Sequence, residues 1–279
     1  MLRKPTLAVL FALLTALGAW AQQGEGPLDP AGPKGITVPE IIDRFASKEK
    51  QFKQARDNYT YTQDVKVETR DCGSGRSEYH EVFDVTFDDR GHRLENVRFA
   101  PQSSLQCVQI TKEDLDDIRN RLPFVLTSDD VFEYNIDYVG QQQEDELHCY
   151  VFDIHPKTIE KNKRYFDGRI WVDEQDFQIV KTQGKTVPDI RPNKRGQENL
   201  FPAFVTYREQ IDGRYWFPTY TRADDILHFS SGDVRIIETV KYTNYKRFGS
   251  QSKITYEGRE IPGADKNQPP PDQPPPPKK

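Results

Sequence analysis

The chain has 279 residues, of which 35% are hydrophobic and 30% are charged, and its mean hydropathy is -0.81. This composition excludes a protein with several membrane-spanning segments. The formal net charge is -5, so there is no overall electrostatic reason for the chain to bind nucleic acid. The 13 Tyr and 16 Phe against a single Met indicate a core built largely from aromatic rings, which favours β-sheet.

The first 21 residues have the three parts of a secretory signal peptide. Arg3 and Lys4 are the positive start, residues 7–17 are an apolar run too short to span a bilayer, and residues 19–21 (AWA) form a cleavage site. Gln22, not Cys, follows the predicted cut. We therefore expect export across the inner membrane to the periplasm, no lipid anchor, and at most peripheral or transient membrane contact.

Two helices are predicted downstream of a flexible, Gly- and Pro-rich leader at residues 22–35. The first is capped by Thr37 and has Pro39 in its first turn. Its apolar stripe consists of Ile41, Ile42, Phe45 and Phe52. The second helix is predicted over residues 112–122, with Thr111 as its cap.

Almost all of the remaining chain alternates apolar and polar residues with period two, which is typical of strands with one buried face. Explicit turn residues, such as Asp212 and Gly213, separate some of these strands. We predict a mainly β (α+β) fold, in which one large curved antiparallel sheet forms an incomplete barrel and two or three helices cover its concave face. A closed barrel and a two-sheet sandwich also fit the pattern.

No interval reads as a linker between domains, so residues 36–260 are taken as one domain. Residues 261–279 are Pro-rich and predict a disordered, extended tail. This tail is either a plain chain end or a spacer or ligand for a partner in the envelope.

Three cysteines in an oxidising compartment suggest one disulfide and one spare thiol. Strands at 79–87 and 93–99 flank a turn, and a register centred on that turn places Cys72 opposite Cys107. This pair is the predicted disulfide, although two other pairings remain possible. Cys149 lies in an apolar strand and is expected to be a buried, inert thiol.

Motifs for catalysis and metal binding are missing from the sequence. The five histidines have no ligand-like spacing, and there is no nucleophile elbow, phosphate loop or dinucleotide fingerprint. We therefore expect no metal, no cofactor and no enzyme activity. Asp114, Asp116 and Asp117 are interpreted as solvent-exposed charges rather than as an acid/base pair or a calcium site. The long stretch 186–202 is either a mobile loop or a functional lip.

The surplus of aromatic residues leaves two interpretations of the buried face. It is either an ordinary core or a pocket for an apolar ligand beneath the helices. The side chains predicted to line such a pocket are Tyr61, Val65, Phe83, Val85, Tyr134, Tyr150, Phe152, Ile170, Val172, Tyr207 and Phe217.

Three segments resemble two consecutive hairpins of the LolA-like superfamily, the first two segments forming the central hairpin and the third the hairpin that follows. This superfamily includes the bacterial lipoprotein carrier, its receptor and the sensor-binding regulator RseB. The three segments are residues 166–173 (FDGRIWVD), 177–181 (FQIVK) and 208–218 (REQIDGRYWFP), within a match over about residues 130–245. The resemblance implies an incomplete β-barrel with helices over its concave side. It also implies non-catalytic binding or carriage of a hydrophobic envelope ligand, either a lipid or the acyl chain of a lipoprotein. The alternative is an envelope module with a solid core, which binds a protein partner through its surface or its Pro-rich tail.

Overall fold

The computed structural model describes residues 25–70, 77–88, 90–120, 123–193, 196–199 and 201–248. The predicted signal peptide, the Pro-rich tail and Cys72 lie outside these ranges. Two helices and twelve strands lie within them: α1 (Val38–Arg56), β1 (Tyr59–Arg70), β2 (Glu78–Phe87), β3 (Arg93–Phe99), α2 (Lys112–Asn120), β4 (Tyr134–Glu144), β5 (Leu147–Pro156), β6 (Tyr165–Asp173), β7 (Ile179–Val187), β8 (Ile190–Asn193), β9 (Gly196–Asn199), β10 (Phe204–Ile211), β11 (Tyr215–Phe229) and β12 (Gly232–Arg247).

Within the described residues, ten of the strands form one antiparallel sheet in the order β3-β2-β1-β12-β11-β10-β7-β6-β5-β4. Strand β12 returns to pair with β1, with Val240 opposite Val65, and so joins the first hairpins to the later meander. The two outer strands, β3 and β4, do not pair with each other, so the sheet stays open. The predicted class, a large antiparallel sheet with a few helices, is confirmed. The described residues up to Arg247 form one compact unit, and the predicted domain end at residue 260 lies outside the described ranges.

Helix α1 forms and docks as its sequence pattern predicts. The side chain of Thr37 accepts a hydrogen bond from the N–H of Glu40 at 3.4 Å, which caps the first turn. Phe45 and Phe52 are buried and reach the sheet, where the ring of Phe45 lies 5.6 Å from that of Phe152. Burying a side chain of this size contributes about 1.5–3 kcal/mol, so a few such contacts are enough to hold the helix on the sheet.

Helix α2 begins at the predicted residue and extends over Lys112–Asn120, and the predicted end at residue 122 lies outside the described residues. Thr111 and Asp114 cap it reciprocally. The N–H of Asp114 donates to Oγ1 of Thr111 at 3.3 Å, and the N–H of Thr111 donates to Oδ2 of Asp114 at 2.7 Å. Ile118 anchors the helix to the main core. Across the described ranges no helix combines the length and the apolarity that a membrane span requires.

The sheet buries part of both its faces, whereas the sequence pattern predicted one buried face. On the side away from the helices, Cys149, Val151, Trp171 and Val180 form a separate apolar cluster, against which Leu28 packs. Residues 149–152 are apolar without interruption, which is typical of a strand covered on both sides. Cys149 is a free, fully buried thiol, and burial raises its pKa.

The segment predicted as a flexible leader lies along the edge strand β4 over part of its length. Asp29 and Gln141 exchange two backbone hydrogen bonds of 2.8 Å, and the N–H of Gly26 donates to the carbonyl of Gln143 at 2.8 Å. An edge strand has unpaired backbone groups, and this segment satisfies some of them. Leu28 is thereby placed on the second apolar cluster.

The pairing of β2 with β3 differs from the register used to predict the disulfide. Val85 lies opposite Glu95, one residue away from the register that puts Cys72 opposite Cys107. A bulge between Val82 and Phe83 shifts the pairing again. Because Cys72 lies outside the described residues, the disulfide stays a prediction.

Candidate functional site

Nine of the eleven side chains predicted to line a pocket belong instead to one continuous core beneath the helices. They are Tyr61, Val65, Phe83, Val85, Tyr134, Tyr150, Phe152, Ile170 and Val172, each at most 8% exposed. Ile41, Phe45 and Ala46 of α1 pack into the same cluster. Phe217 lies in a neighbouring apolar cluster with Phe52 and Tyr59. In this part of the sheet these side chains are buried and packed against α1.

Tyr207 lies on the opposite face of the sheet, so it does not share a surface with the other ten residues. Its neighbours Thr206 and Arg208 are buried on the helix side, whereas Tyr207 is 40% exposed and its ring centroid lies 5.5 Å from Nζ of Lys181. Lys181 forms an ion pair with Glu144 at 2.9 Å on that outer face. In β10 the polar residues Thr206 and Arg208 are buried, whereas the aromatic residue between them is exposed. The sequence pattern assigns the aromatic residue of such a strand to the buried face, and for this reason it grouped Tyr207 with the core residues.

A cavity of about 810 Å³ lies further along the helix-covered face, between the sheet and α2. Its volume falls within the range of pockets that bind small molecules. Its floor is formed by buried apolar side chains from four strands and from α2. These floor residues are Val67, Phe204, Leu227, Ile236 and Ile118. None of the eleven predicted residues lines it.

The rim of this cavity is built from the segment before α2 and from the turn between β11 and β12. Cys107 and Gln109 are exposed on one side, and Ser230 and Ser231, from the turn between β11 and β12, are exposed on another. Thr186 and Phe201, from the two ends of the stretch interpreted as a loop or a lip, complete the wall. That stretch also contains the β8–β9 hairpin. The cavity thus has a buried apolar floor and a polar, solvent-facing rim.

The carboxyl group of Glu238 is buried in the cavity wall. Glu238 of β12 is 8% exposed and lies between Val67 of β1 and Ala223 of β11 in the sheet register. Its Oε1 has no hydrogen-bond partner among the described residues. Burial raises the pKa of Glu238 to about 8, and the charges of Asp114 and Asp117 add to the increase. This carboxyl is therefore largely protonated at neutral pH.

Two acidic residues of α2 also face the cavity, contrary to the expectation that they are solvent-exposed charges. Asp117 is 7% exposed and forms an ion pair with Arg164 at 2.7 Å. The guanidinium of Arg164 in turn lies 3.9 Å from the ring centroid of Phe201. Asp114, which caps the helix, lies one turn before Asp117 on the same side as Ile118. That spacing in the sequence contained the signal that these carboxylates face inward.

The floor residues of β11 and β12 were missed for two different reasons. In β11 the alternate residues 221, 223 and 225 are Thr, Ala and Asp, which do not mark an apolar stripe, although the strand continues to Phe229 and so brings Leu227 to the floor. In β12 the alternate residues 234, 236, 238, 240 and 242 are Val, Ile, Glu, Val and Tyr. A single Glu in an otherwise apolar stripe is unusual, and it is the sequence signal that points to this site.

No protein-family model and no curated protein matches the sequence. The structure is similar to a DUF1329 family protein from Desulfovibrio piger, at 13% identity and a TM-score of 0.38, over 76% of this chain and 95% of that chain. It is similar to a LolA superfamily protein from Nitrosomonas europaea at 13% identity and a TM-score of 0.35, over 78% and 97% of the two chains. A domain assigned as an outer membrane lipoprotein-sorting protein, from Vibrio parahaemolyticus, is similar at 10% identity and a TM-score of 0.39, over 76% and 95%. Because these identities and scores are low, the functional proposal rests on the cavity itself.

Proposed function

We propose that this protein is a non-catalytic binding or carrier protein of the cell envelope, which holds a hydrophobic ligand in the cavity between the sheet and α2. The observation that carries the proposal is the cavity of about 810 Å³, whose floor is formed by buried apolar side chains. Apolar walls with a few polar groups are typical of sites that bind small organic molecules. A lipid or the acyl chain of a lipoprotein is the ligand class that such walls suit.

The location in the periplasm rests on the sequence. Residues 1–21 have the composition of a secretory signal peptide, and the segments at 166–181 and 208–218 resemble hairpins of envelope carriers. The buried residues of the cavity do not include a histidine or a nucleophilic side chain next to a base, in the ranges that the structure describes. Binding without catalysis is the function that this lining supports.

The alternative is a partner-binding module with a solid core. The packing of Phe45 and its neighbours against the sheet is consistent with a solid core under α1. The region beside α2 is different, because its apolar residues border a cavity as well as packing against one another. The Pro-rich tail, through which a partner could bind, lies outside the described residues. The cavity therefore favours ligand binding.

The proposal is tested by native mass spectrometry of the full chain purified from the periplasm, followed by solvent extraction of the bound molecules. We expect about one hydrophobic molecule per chain. Leu227→Trp places an indole in the cavity and should abolish its retention, whereas Leu94→Trp, at a 51% exposed site on β3, should leave it unchanged. Retention at the wild-type level in a folded Leu227→Trp variant would overturn the assignment of the cavity. A chain that stays unliganded after exposure to envelope lipids would favour the partner-binding alternative.

A further inference from the structure

The described residues that line the cavity carry more negative than positive charge. Four acidic residues line it, Glu113, Asp114, Asp117 and Glu238, against one basic residue, Arg164. The guanidinium of Arg164 is already paired with Asp117 at 2.7 Å. An anionic headgroup placed here would meet the negative charge of Asp114, and above pH 8 that of Glu238 as well, and this repulsion is strengthened because Glu238 is shielded from water. The lining disfavours the anionic lipids and fatty acids that a purely apolar cavity would accept.

The buried carboxyl of Glu238 is the strongest single indication of what the ligand carries. A buried polar atom without a partner costs free energy, and proteins usually satisfy such atoms. Oε1 of Glu238 has no partner among the described residues, although the residue is only 8% exposed and lines the cavity. A ligand group that donates a hydrogen bond to this oxygen would satisfy it.

We propose that the cavity selects ligands with a protonated amine on an apolar body, whose ammonium group binds Glu238 while the apolar body fills the space between the sheet and α2. This inference rests on the proposed function, since it names the ligand class of the same cavity. The ammonium donates N–H groups to the carboxylate of Glu238, and Asp114 on α2 adds a second negative charge nearby. Charge-assisted hydrogen bonds of this kind are about twice as strong as neutral ones.

Binding of the cation has a consequence for pH. The pKa of Glu238 is about 8 in the free protein, so at pH 7 its carboxyl must lose a proton before it can pair with an ammonium. The other charged groups that face it are Asp114 and Asp117 on α2 and, paired with Asp117, Arg164. The described cavity residues from β1, β7, β10 and β11 are uncharged. Affinity for the amine should therefore rise between pH 6 and pH 8, and uptake at pH 7 should release up to one proton per chain.

Titration calorimetry of the full chain with three probes that differ only in their headgroup tests the proposal. The probes are dodecylamine, 1-dodecanol and sodium dodecanoate, with the amine and the carboxylate below the concentrations at which they form micelles and the alcohol below its solubility limit. At pH 8 we expect dodecylamine to bind at least about 10-fold more tightly than 1-dodecanol, and dodecanoate to bind most weakly. Titrations at pH 7 in two buffers with different ionisation enthalpies measure the proton release.

Glu238→Gln is the decisive variant, because it keeps the size of the side chain and removes its charge. It should still bind 1-dodecanol but prefer dodecylamine by no more than about threefold, without proton release. Glu209→Gln, at an exposed position that does not line the cavity, is the matched control and should behave as the wild type. A preference for dodecylamine that persists in Glu238→Gln would overturn the role of Glu238.

The same titrations separate this inference from the proposed function. If the wild type binds dodecylamine and 1-dodecanol equally well, the inference about the headgroup is wrong and the apolar binding site stands. If dodecanoate binds most tightly, the inference is also wrong, and the ligand is an anionic lipid. If none of the three probes binds, the proposed function itself fails, and the inference fails with it.

Discussion

Glu49 of α1 and Arg208 of β10 form an ion pair that is shielded from water, with side chains that are 0% and 1% exposed. Nη1 of Arg208 lies 3.0 and 3.1 Å from the two carboxylate oxygens, and Glu49 also accepts the N–H of Ile179 at 3.2 Å. Nη2 of Arg208 donates to the carbonyl of Phe124. Burial raises the pKa of Glu49, and the charge of Arg208 opposes that increase. The pair thus ties the covering helix to the sheet at one point within the apolar core.

Breaking this pair should be far more costly than breaking a surface pair on the same helix. Arg208→Met leaves the carboxylate of Glu49 buried without its counter-charge, and we expect a loss of about 3–5 kcal/mol in the free energy of unfolding. Lys50→Met removes an exposed pair with Asp129 and should cost at most about 1 kcal/mol. Urea unfolding monitored by tryptophan fluorescence measures both. Similar losses in the two variants would show that the buried pair is not what secures the helix.

Glu238 should make the protein less stable as the pH rises. A carboxyl group whose pKa is higher in the folded than in the unfolded chain holds its proton more tightly when folded, so its contribution to stability is full at low pH. That contribution declines as the pH rises from the ordinary value of 4.5 to about 8. Glu238→Gln does not titrate, so its free energy of unfolding should exceed that of the wild type at pH 9 and decline less between pH 5 and pH 9.

Urea unfolding at pH 5, 7 and 9 compares the two proteins, and Glu209→Gln is again the control because Glu209 is exposed. The control should follow the wild-type pH profile. Parallel profiles for Glu238→Gln and the wild type would mean that Glu238 is not perturbed in the folded protein.

Two phenylalanines should respond very differently to truncation. Phe45 of α1 is fully buried against Phe152, and Phe45→Ala should lower the free energy of unfolding by about 3–5 kcal/mol, because it leaves a void in a packed core. Phe132 is 66% exposed, and Phe132→Ala should change the free energy of unfolding by no more than about 0.5 kcal/mol. Denaturant unfolding provides both values. A small loss for Phe45→Ala would indicate that the region under α1 is loosely packed after all.

The thiol of Cys149 should report on whether the segment at residues 25–31 stays on the sheet. Cys149 is fully buried and its pKa is raised, so it should react with a thiol reagent much more slowly than after unfolding. Leu28→Ala weakens the cover and should accelerate the reaction by about 5- to 30-fold, if it lowers the cost of local opening by about 1–2 kcal/mol. Leu94→Ala, on β3, should leave the rate unchanged. An unchanged rate in Leu28→Ala would show that the strands alone protect this thiol.

The sequence by itself determined the local elements. Thr37 and the apolar stripe ending at Phe52 predicted α1, and Thr111 predicted the start of α2. Asp212 and Gly213 predicted the turn between β10 and β11, where both residues have the positive φ angles, 58° and 64°, that such residues tolerate. Capping, turn formation and hydrophobic periodicity depend on residues close together in the chain, so they can be predicted without knowing the fold.

Only the tertiary structure decided where the face is packed and where it leaves a cavity. The alternation of apolar and polar residues shows which residues of one strand share a face. Whether that face is the buried one also depends on bulges and on buried polar residues, as in β10, where Arg208 is buried and Tyr207 is exposed beside a bulge. The space between elements depends on how far each helix reaches over the sheet. Helix α1 fills its part with Phe45 and Phe52, whereas α2 leaves room above Glu238 and Leu227. The width of the space between a helix and the sheet is set by residues that are far apart in the sequence, so no local sequence pattern predicts it.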